Sequence, residues 1–341
     1  MKINKNYQTA LITGSAGFIG FYLSNKLLNS GWRVIGLDCF SDYYDVELKK
    51  NRERLLQKST NYKGIIGKIE EKELLKSIFE EHTPNIVIHL AAQAGVRHSI
   101  ENPRTYLESN IVGTFELLEA ARAFPPQHIL MASTSSAYGD QKLLPYNETS
   151  KADHQMSFYA ATKKSTENIA HSYSHLFSLP ITMLRFFTVY GPWGRPDMAF
   201  FKFTKAILEN RAIEVFNYGK MKRDFTYIED LTEAIFHLIS KVPKNTENNS
   251  IKFDSLSPVA PFRVVNIGSG KVVNLIDYIK AIEDAIGRQS EKKLMPMQPG
   301  DVPFTLANTD LLRQLIGFEP NTEIKIGVKH FTDWYLKYYN I

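Results

Sequence analysis

The sequence predicts an α/β fold, a doubly wound parallel sheet followed by a smaller C-terminal α/β unit. Three observations carry that expectation. Six short apolar runs alternate with helical stretches between Thr9 and Phe186, the rhythm of parallel strands with crossover helices. A glycine-rich turn separates the first run from its helix, and an acid closes the second run. Residues suited to chemistry fall at the C-terminal ends of the runs or on the next helix, where open sheets of this kind bind ligands.

Thr9 to Thr13 (TALIT) is too short for a helix and meets glycine at once, so it reads as a buried parallel strand. Gly14-Ser15-Ala16-Gly17-Phe18-Ile19-Gly20 follows, then Phe21 to Leu28 with helical apolar spacing. Trp32 to Leu37 is the second strand and ends in Asp38. The first glycine permits a tight turn, and the others let phosphate and helix approach closely. A dinucleotide pyrophosphate would then sit on the helix N-terminus. Asp38 lies 18 residues past Gly20, near the expected spacing of about 20 for an acid that binds the adenosine ribose. An acid there repels a 2′-phosphate, so NAD is expected over NADP. A tight turn without a ligand is the alternative for the glycines alone.

Tyr43 to Lys58 reads as loop and helix, Ile65 to Ile69 as a third strand, and Lys72 to Glu81 as a helix. Asn85 to Leu90 (NIVIHL) is a fourth strand, and Ala91-Ala92-Gln93-Ala94-Gly95 behind it suits close passage of a cofactor. Pro103 opens a long helix from Arg104 to Arg122 that contains Asn110. Gln127 to Ala132 is a fifth strand and delivers Ser133-Thr134-Ser135-Ser136. Phe158 to Phe177 is a helix and Ile181 to Phe186 a sixth strand. After Phe187 the rhythm breaks, and Thr188 to Pro196 reads as a loop. Phe225 to Asp230 opens a helix that runs to Ser240 and returns to the first unit. Pro243 to Ser257, with Asn245, Asn248 and Asn249, reads as an exposed loop, and Val264 to Ile267 as a short strand.

With 341 residues the chain can bury a large core or build two units that share one. Its 43% hydrophobic and 23% charged residues are ordinary for a globular protein, and a net charge of +5 suits anionic small molecules. No basic-aromatic alternation of the nucleic-acid kind is present. The one cysteine, Cys39, excludes an intrachain disulfide and a cysteine-rich metal site. His82, His89, His98 and His128 lack paired ligand spacing, so no metal is expected. Met1 to Gln8 shows no signal-peptide pattern and no run of about 18 apolar residues exists, so a cytoplasmic protein with no membrane span is expected.

The strongest chemical signal is Tyr159-Ala160-Ala161-Thr162-Lys163. A Tyr and a Lys four apart on a helix share one face. A nearby ammonium and a cationic cofactor ring favour phenolate, which makes a tyrosine with a free pKa of about 10 usable as a base. Thr134 is placed to hold the hydroxyl that gives up its proton. Tyr218 and Lys222 repeat the spacing, but Gly219 marks a turn there.

Taken together, Gly14-x-x-Gly17-x-x-Gly20, Asp38, Leu90-Ala91-Ala92, Asn110, Ser133-Thr134, Tyr138-Gly139, Tyr159-x-x-x-Lys163 and Arg223-Asp224-Phe225 resemble the extended short-chain dehydrogenase/reductases, NAD-dependent epimerases and dehydratases on a Rossmann fold. Ala91 to Arg97 and Arg185 to Asp197 resemble UDP-glucuronate 4-epimerases in particular. The resemblance implies an NAD-binding unit at 1–187 with a return segment at about 225–267. The UDP-sugar-binding unit would then be 188–224 and 268–341. It adds Phe18, Ile19, Ile69, Gln93 and Phe187 to the cofactor contacts. It also implies a homodimer through a four-helix bundle of helices 104–122 and 158–177.

In such enzymes Tyr159 would take the proton of the sugar C4 hydroxyl, helped by Thr134, and a 4-keto sugar would turn its other face before reduction. Lys163 would bind the nicotinamide ribose and lower the Tyr159 pKa. Related dehydratases and decarboxylases carry acids directly after the threonine. Here Ser135 and Ser136 stand there, so elimination lacks a proton donor and epimerisation is favoured. A 4-keto uronate is a β-keto acid, so an epimerase must hold its carboxylate out of line with the carbonyl. Ser135, Ser136, Thr188 and Arg195 are the candidates, against turn bonding for the serines and a solvated charge for the arginine. Arg97 suits carboxylate, phosphate or a plain salt bridge equally. Arg223 resembles the family's phosphate-binding arginine and Asp301 its uridine-ribose contact. Val215-Phe216-Asn217 lies where the family holds uracil, or else Val215 and Phe216 lie on a core strand. Gln298 replaces an arginine usual in hexose epimerases, and Lys68 an acid usual beside the adenine. Another UDP-hexose or UDP-N-acetylhexosamine or its uronate as substrate, a decarboxylase or dehydratase, and a non-catalytic nucleotide-sugar-binding protein are the rival readings.

Overall fold

The computed structural model describes residues 8–244 and 251–341. Asn245, Asn248 and Asn249 of the expected loop, and the start of the N-terminal stretch, lie outside them. In chain order the first half runs β1 (Thr9–Thr13), α1 (Phe18–Asn29), β2 (Arg33–Asp38), α2 (Val46–Leu56), β3 (Tyr62–Ile66), α3 (Leu74–His82) and β4 (Ile86–His89). Short helical turns lead into α4 (Gly113–Ala123), then β5 (His128–Thr134), α5 (Phe158–Phe177) and β6 (Ile181–Phe186). The second half contributes β7 (Thr188–Tyr190), α6 (Ala199–Leu208), β8 (Ile213–Val215), β9 (Lys222–Tyr227), α7 (Ile228–Leu238) and β10 (Phe262–Ile267). It closes with β11 (Val272–Asn274), α8 (Leu275–Ile286), β12 (Lys292–Leu294), α9 (Asp310–Ile316) and α10 (Ile324–Tyr339).

Seven strands form one parallel sheet in the order β10-β6-β5-β4-β1-β2-β3. The apolar runs are continuous because helices cover both faces of the sheet. Along β1, Ala10 and Ile12 join one core with Leu23, Leu27, Leu231 and Ile235, whereas Leu11 joins the other with Phe79, Leu117 and Ala170. The first core continues without a break into Phe200, Phe201, Ile279, Phe331 and Tyr335 of the C-terminal helices. The sheet and the C-terminal unit therefore share one apolar interior. Strand order reverses between β1 and β4, the place where ligands bind in such sheets.

Several boundaries differ from the sequence reading, each for a local reason. The third strand is Tyr62–Ile66 rather than 65–69; it is an edge strand with mostly unburied residues, so no apolar run marks it. Ile69 lies past its end, where its side chain fills the space beside Gly113. The helix expected from Arg104 breaks into Pro103–Tyr106, a π-helical stretch at Leu107–Val112, and α4. Asn110 lies in the π stretch. Thr188–Tyr190 within the expected loop is a strand, and Phe225 to Tyr227 belongs to β9, so the helix opens only at Ile228. These strands make a three-stranded sheet, β11-β9-β7, beside the main one.

Candidate active site

A cavity of about 1020 Å³ lies across the C-terminal ends of the sheet strands and continues between the sheet and the C-terminal unit. Of the site residues expected from sequence, all but Asn110 and Val215 line it. Val215 is fully buried in the shared core, as the core-strand alternative had it, and the neighbouring Phe216 faces the cavity instead. Asn110 is buried behind the wall. Its amide receives a bond from the Gln93 nitrogen (2.8 Å), donates to the Gln93 carbonyl (3.1 Å) and reaches the Thr162 hydroxyl (3.0 Å). It therefore ties the loop after β4 to α5 and shapes the cavity from outside.

At one end the glycine-rich turn is closed against itself. Gly14 takes φ +73°, and a Cβ on Gly20 would stand 2.0 Å from the Gly14 carbonyl oxygen, so only glycine allows this approach of helix to turn. The N-terminus of α1 then points at the cavity. Asp38 accepts from the Ala16 nitrogen (3.1 Å) and the Phe40 nitrogen (2.8 Å), which fixes its carboxylate on the cavity edge.

At the centre stand Thr134, from the end of β5, and Tyr159 and Lys163, one turn apart on α5. The helix begins where it does because the Ser157 hydroxyl caps it by accepting from the Ala160 nitrogen (3.1 Å). The Thr134 hydroxyl is near enough to the Tyr159 phenol to favour its ionised form. Burial holds that phenol above its usual pKa, while the Thr134 hydroxyl and then the Arg195 charge pull it down. Burial works on Lys163 as well. It pushes the ammonium down to about 8, against a partial upward pull from Glu167. Among the described residues the Lys163 ammonium has no hydrogen-bond acceptor, yet it borders the cavity. A buried cation without an acceptor, a closed glycine turn and a fixed acid together suit the riboses and pyrophosphate of a dinucleotide.

Behind this centre Glu167 binds Arg185 through two bonds (2.8 and 2.7 Å), accepts from the Ser133 hydroxyl (2.6 Å) and meets Lys164 (3.1 Å). The Arg185 guanidinium outweighs burial and holds the Glu167 carboxyl down at about 2. This network clamps the end of β5 to α5, and so fixes Thr134 relative to Tyr159.

Ser135 and Ser136 turn away from β5 in a short 3-10 helix that Thr134 caps, its hydroxyl accepting from the Ser136 nitrogen (3.2 Å). Both line the cavity, and no acid occupies their place. Also on the cavity, Arg195 makes two bonds to Asp197 (3.0 and 2.6 Å), and the Tyr43 phenol donates to the same carboxylate (3.3 Å). Arg195 is thus a held charge and not a free one. Tyr43 and Asp197 were not singled out in the sequence, since single residues in loops carry no periodic signal.

At the far end Arg97 lies over the Phe216 ring (4.8 Å) and meets Asp301 at 3.5 Å. Arg223 is set in place by the next residue: Asp224 is fully buried and accepts from the nitrogens of Ser269 (2.7 Å), Gly270 (3.0 Å) and Ala307 (3.1 Å). Burial lowers the Arg223 pKa, opposed by Asp301. Two cations from separate elements, Arg97 and Arg223, flank Asp301 here, and arginines of this kind suit phosphate. The buried histidines are structural: His89 bonds Thr13 (2.7 Å) and His128 bonds Thr182 (2.8 Å). Tyr218 has a left-handed backbone (φ 50°) and lies off any helix shared with Lys222. Among the described residues no helix is long and apolar enough to cross a membrane.

Residues 11–331 match the family model described as GDP-mannose 4,6 dehydratase. The chain is 49% identical over 328 residues to the probable UDP-glucuronate 4-epimerase of Rhizobium meliloti (strain 1021), covering 95% of this chain and 96% of that protein. It is 51% identical over 330 residues to protein CapI of Staphylococcus aureus, covering 96% and 98%. Among solved structures, the UDP-glucuronic acid 4-epimerase of Bacillus cereus, in complex with UDP-glucuronic acid and NAD, superposes with a TM-score of 0.87. Its identity is 31%, with 97% of this chain and 100% of that one covered.

Proposed function

We propose that this chain, which belongs to the GDP-mannose 4,6-dehydratase family, is an NAD-dependent 4-epimerase that interconverts UDP-glucuronate and UDP-galacturonate. The observation that carries the reading is the central group: Thr134, Tyr159 and Lys163 meeting at one cavity, with Ser135 and Ser136 where an eliminating or decarboxylating relative needs an acid. The names and ligands of the relatives support the same substrate.

NAD, when bound, supplies reversible oxidation at the sugar C4. The chain supplies the rest. Gly14, Gly17 and Gly20 with the N-terminus of α1 receive the pyrophosphate, contacted also by Phe18 and Ile19, and Asp38 receives the adenosine ribose. Ile69, Leu90, Ala91, Ala92, Gln93 and Phe187 form the walls around the cofactor. Lys163 donates to the nicotinamide ribose, which gives its buried ammonium the acceptor it lacks. Tyr159 takes the C4 hydroxyl proton and returns it on the other face, with Thr134 holding the shared oxygen. Arg97, Arg223 and Asp301 grip the UDP portion, with the uracil at Phe216.

The 4-keto uronate loses carbon dioxide if its carboxylate bond aligns with the carbonyl. Ser135, Ser136, Thr188 and Arg195 hold that carboxylate out of line, several short donors fixing an angle better than one mobile cation. The enzyme works as a cytoplasmic homodimer. Exposed apolar Leu107, Val112 and Phe115 before and on α4, and Phe158 and Leu176 on α5, supply the faces of a four-helix bundle.

The test is incubation of the purified protein with UDP-glucuronate and NAD, followed by chromatography of the nucleotide sugars. A stable mixture of UDP-glucuronate and UDP-galacturonate is expected. A UDP-pentose as main product would make the protein a decarboxylase. No turnover with any UDP-sugar would make it a binding protein.

A further inference from the structure

Arg52, on α2, is fully buried, and no acid pairs with it among the described residues. Its charge is met by oxygen dipoles from three separate places. One terminal nitrogen donates to the Ala16 carbonyl (2.9 Å) and the Tyr44 hydroxyl (3.0 Å); the other donates to the carbonyls of Trp193 (2.5 Å) and Gly194 (3.1 Å). Ala16 belongs to the glycine-rich turn. Trp193 and Gly194 directly precede Arg195, which lines the cavity. Trp193 itself is held in a left-handed conformation (φ 58°), a strained state for a bulky residue that persists only when its surroundings enforce it. Its ring is wedged against Phe21, Trp334 and Tyr338 at 5.6, 5.3 and 5.1 Å.

We propose that Arg52 is a positioning residue that straps the loop carrying Arg195 to the dinucleotide turn. The planar guanidinium spans both partners at once, which a lysine ammonium cannot do. Arg195 and Asp197 are thereby aimed at the sugar only when the turn is in its binding form, so the cofactor and sugar halves of the cavity are coupled. The substrate part of this inference rests on the function proposed above.

Three readings on Arg52→Lys test it, with wild type alongside. The KM for UDP-glucuronate rises about tenfold or more while kcat changes less than about threefold, as for lost ground-state binding. Affinity for UDP alone, whose contacts lie at the other end of the cavity, is unchanged. Amide exchange over residues 191–197 speeds up about tenfold, with the sheet core unaltered. An unchanged KM with unchanged exchange overturns the strap, and so does a joint fall of UDP affinity, kcat and exchange protection everywhere, which marks general loosening. If Arg52→Lys does not fold, Tyr44→Phe removes one of the four bonds and raises KM about threefold; no rise there overturns the proposal. If wild type does not turn over UDP-glucuronate, the function proposed above fails instead, and amide exchange alone decides the strap.

Discussion

Replacing Lys163 by Met makes the protein more stable and nearly inactive. Lys163 is 3% exposed, and its ammonium has no acceptor among the described residues. Burial pushes its pKa from the ordinary 10.5 to about 8, even with Glu167 pulling upward. That displacement corresponds to roughly 3 kcal/mol held against the folded state. The sign follows from which state binds the proton more tightly. Below about 8 both states carry the charge and the penalty is full. As pH rises from 8 toward 10.5 the folded state is neutral first, and the penalty fades. Methionine keeps most of the volume without the charge. Urea unfolding of protein freed of nucleotide, followed by far-UV dichroism, should show the variant about 1–3 kcal/mol more stable at pH 7, with the gap closing by about pH 10.5. Turnover should fall by a factor of about 10² or more. A variant less stable than wild type at pH 7 would refute the reasoning, because it would mean that the ammonium is well satisfied by the protein itself.

Glu167→Gln should have the opposite effect on stability. It leaves Arg185, 2% exposed, without its carboxylate, a loss of about 3–5 kcal/mol in urea unfolding. Pairing Glu167→Leu with Arg185→Met should cost far less than the two single losses combined, since both buried charges go together. Glu148 is buried and accepts from the Asn266 nitrogen (3.0 Å), and burial pushes its carboxyl up to about 7. A carboxyl raised in the folded state favours folding when protonated, so wild type loses stability as pH climbs from about 4.5 through 7. Glu148→Gln keeps an acceptor and should abolish most of that loss between pH 5 and 8. Placing acids after the threonine, as Ser135→Asp with Ser136→Glu, should divert product toward UDP-pentose or a dehydrated sugar on chromatography.

What the sequence disclosed was whatever repeats or whatever one residue type alone can do. Thr9–Thr13, Phe158–Phe177 and Ile181–Phe186 have the predicted limits, since each is buried on two faces or capped by a serine. Gly14, Gly20, Asp38, Tyr159 and Lys163 stood out because turn geometry and helix spacing demand those types in that order. The edge strand Tyr62–Ile66 was shifted because its side chains are largely unburied, leaving no apolar pattern to read. The π stretch at Leu107–Val112 was hidden because residue spacing does not distinguish it from an α-helix, and the buried bonds of Asn110 within it reach the distant Gln93 and Thr162. Val215, the last residue of β8, and Phe216, the first of the 3-10 turn after it, show the limit at a strand end. Alternation says that one points inward and the next outward, but not which of the two meets a ligand. The Arg195–Asp197 pair and the reach of Arg52 to Trp193 are matters of side-chain meeting, and α2 gives no sign of them beyond a polar helix.

The most direct test of C4 chemistry under Tyr159 is an isotope experiment with UDP-glucuronate carrying deuterium at C4, run to equilibrium with NAD. UDP-galacturonate should keep the deuterium at C4, with no label lost to water and no carbon dioxide released. Washout of the deuterium into solvent, or an inverted product whose new hydrogen sits at C5, would contradict C4 chemistry under Tyr159.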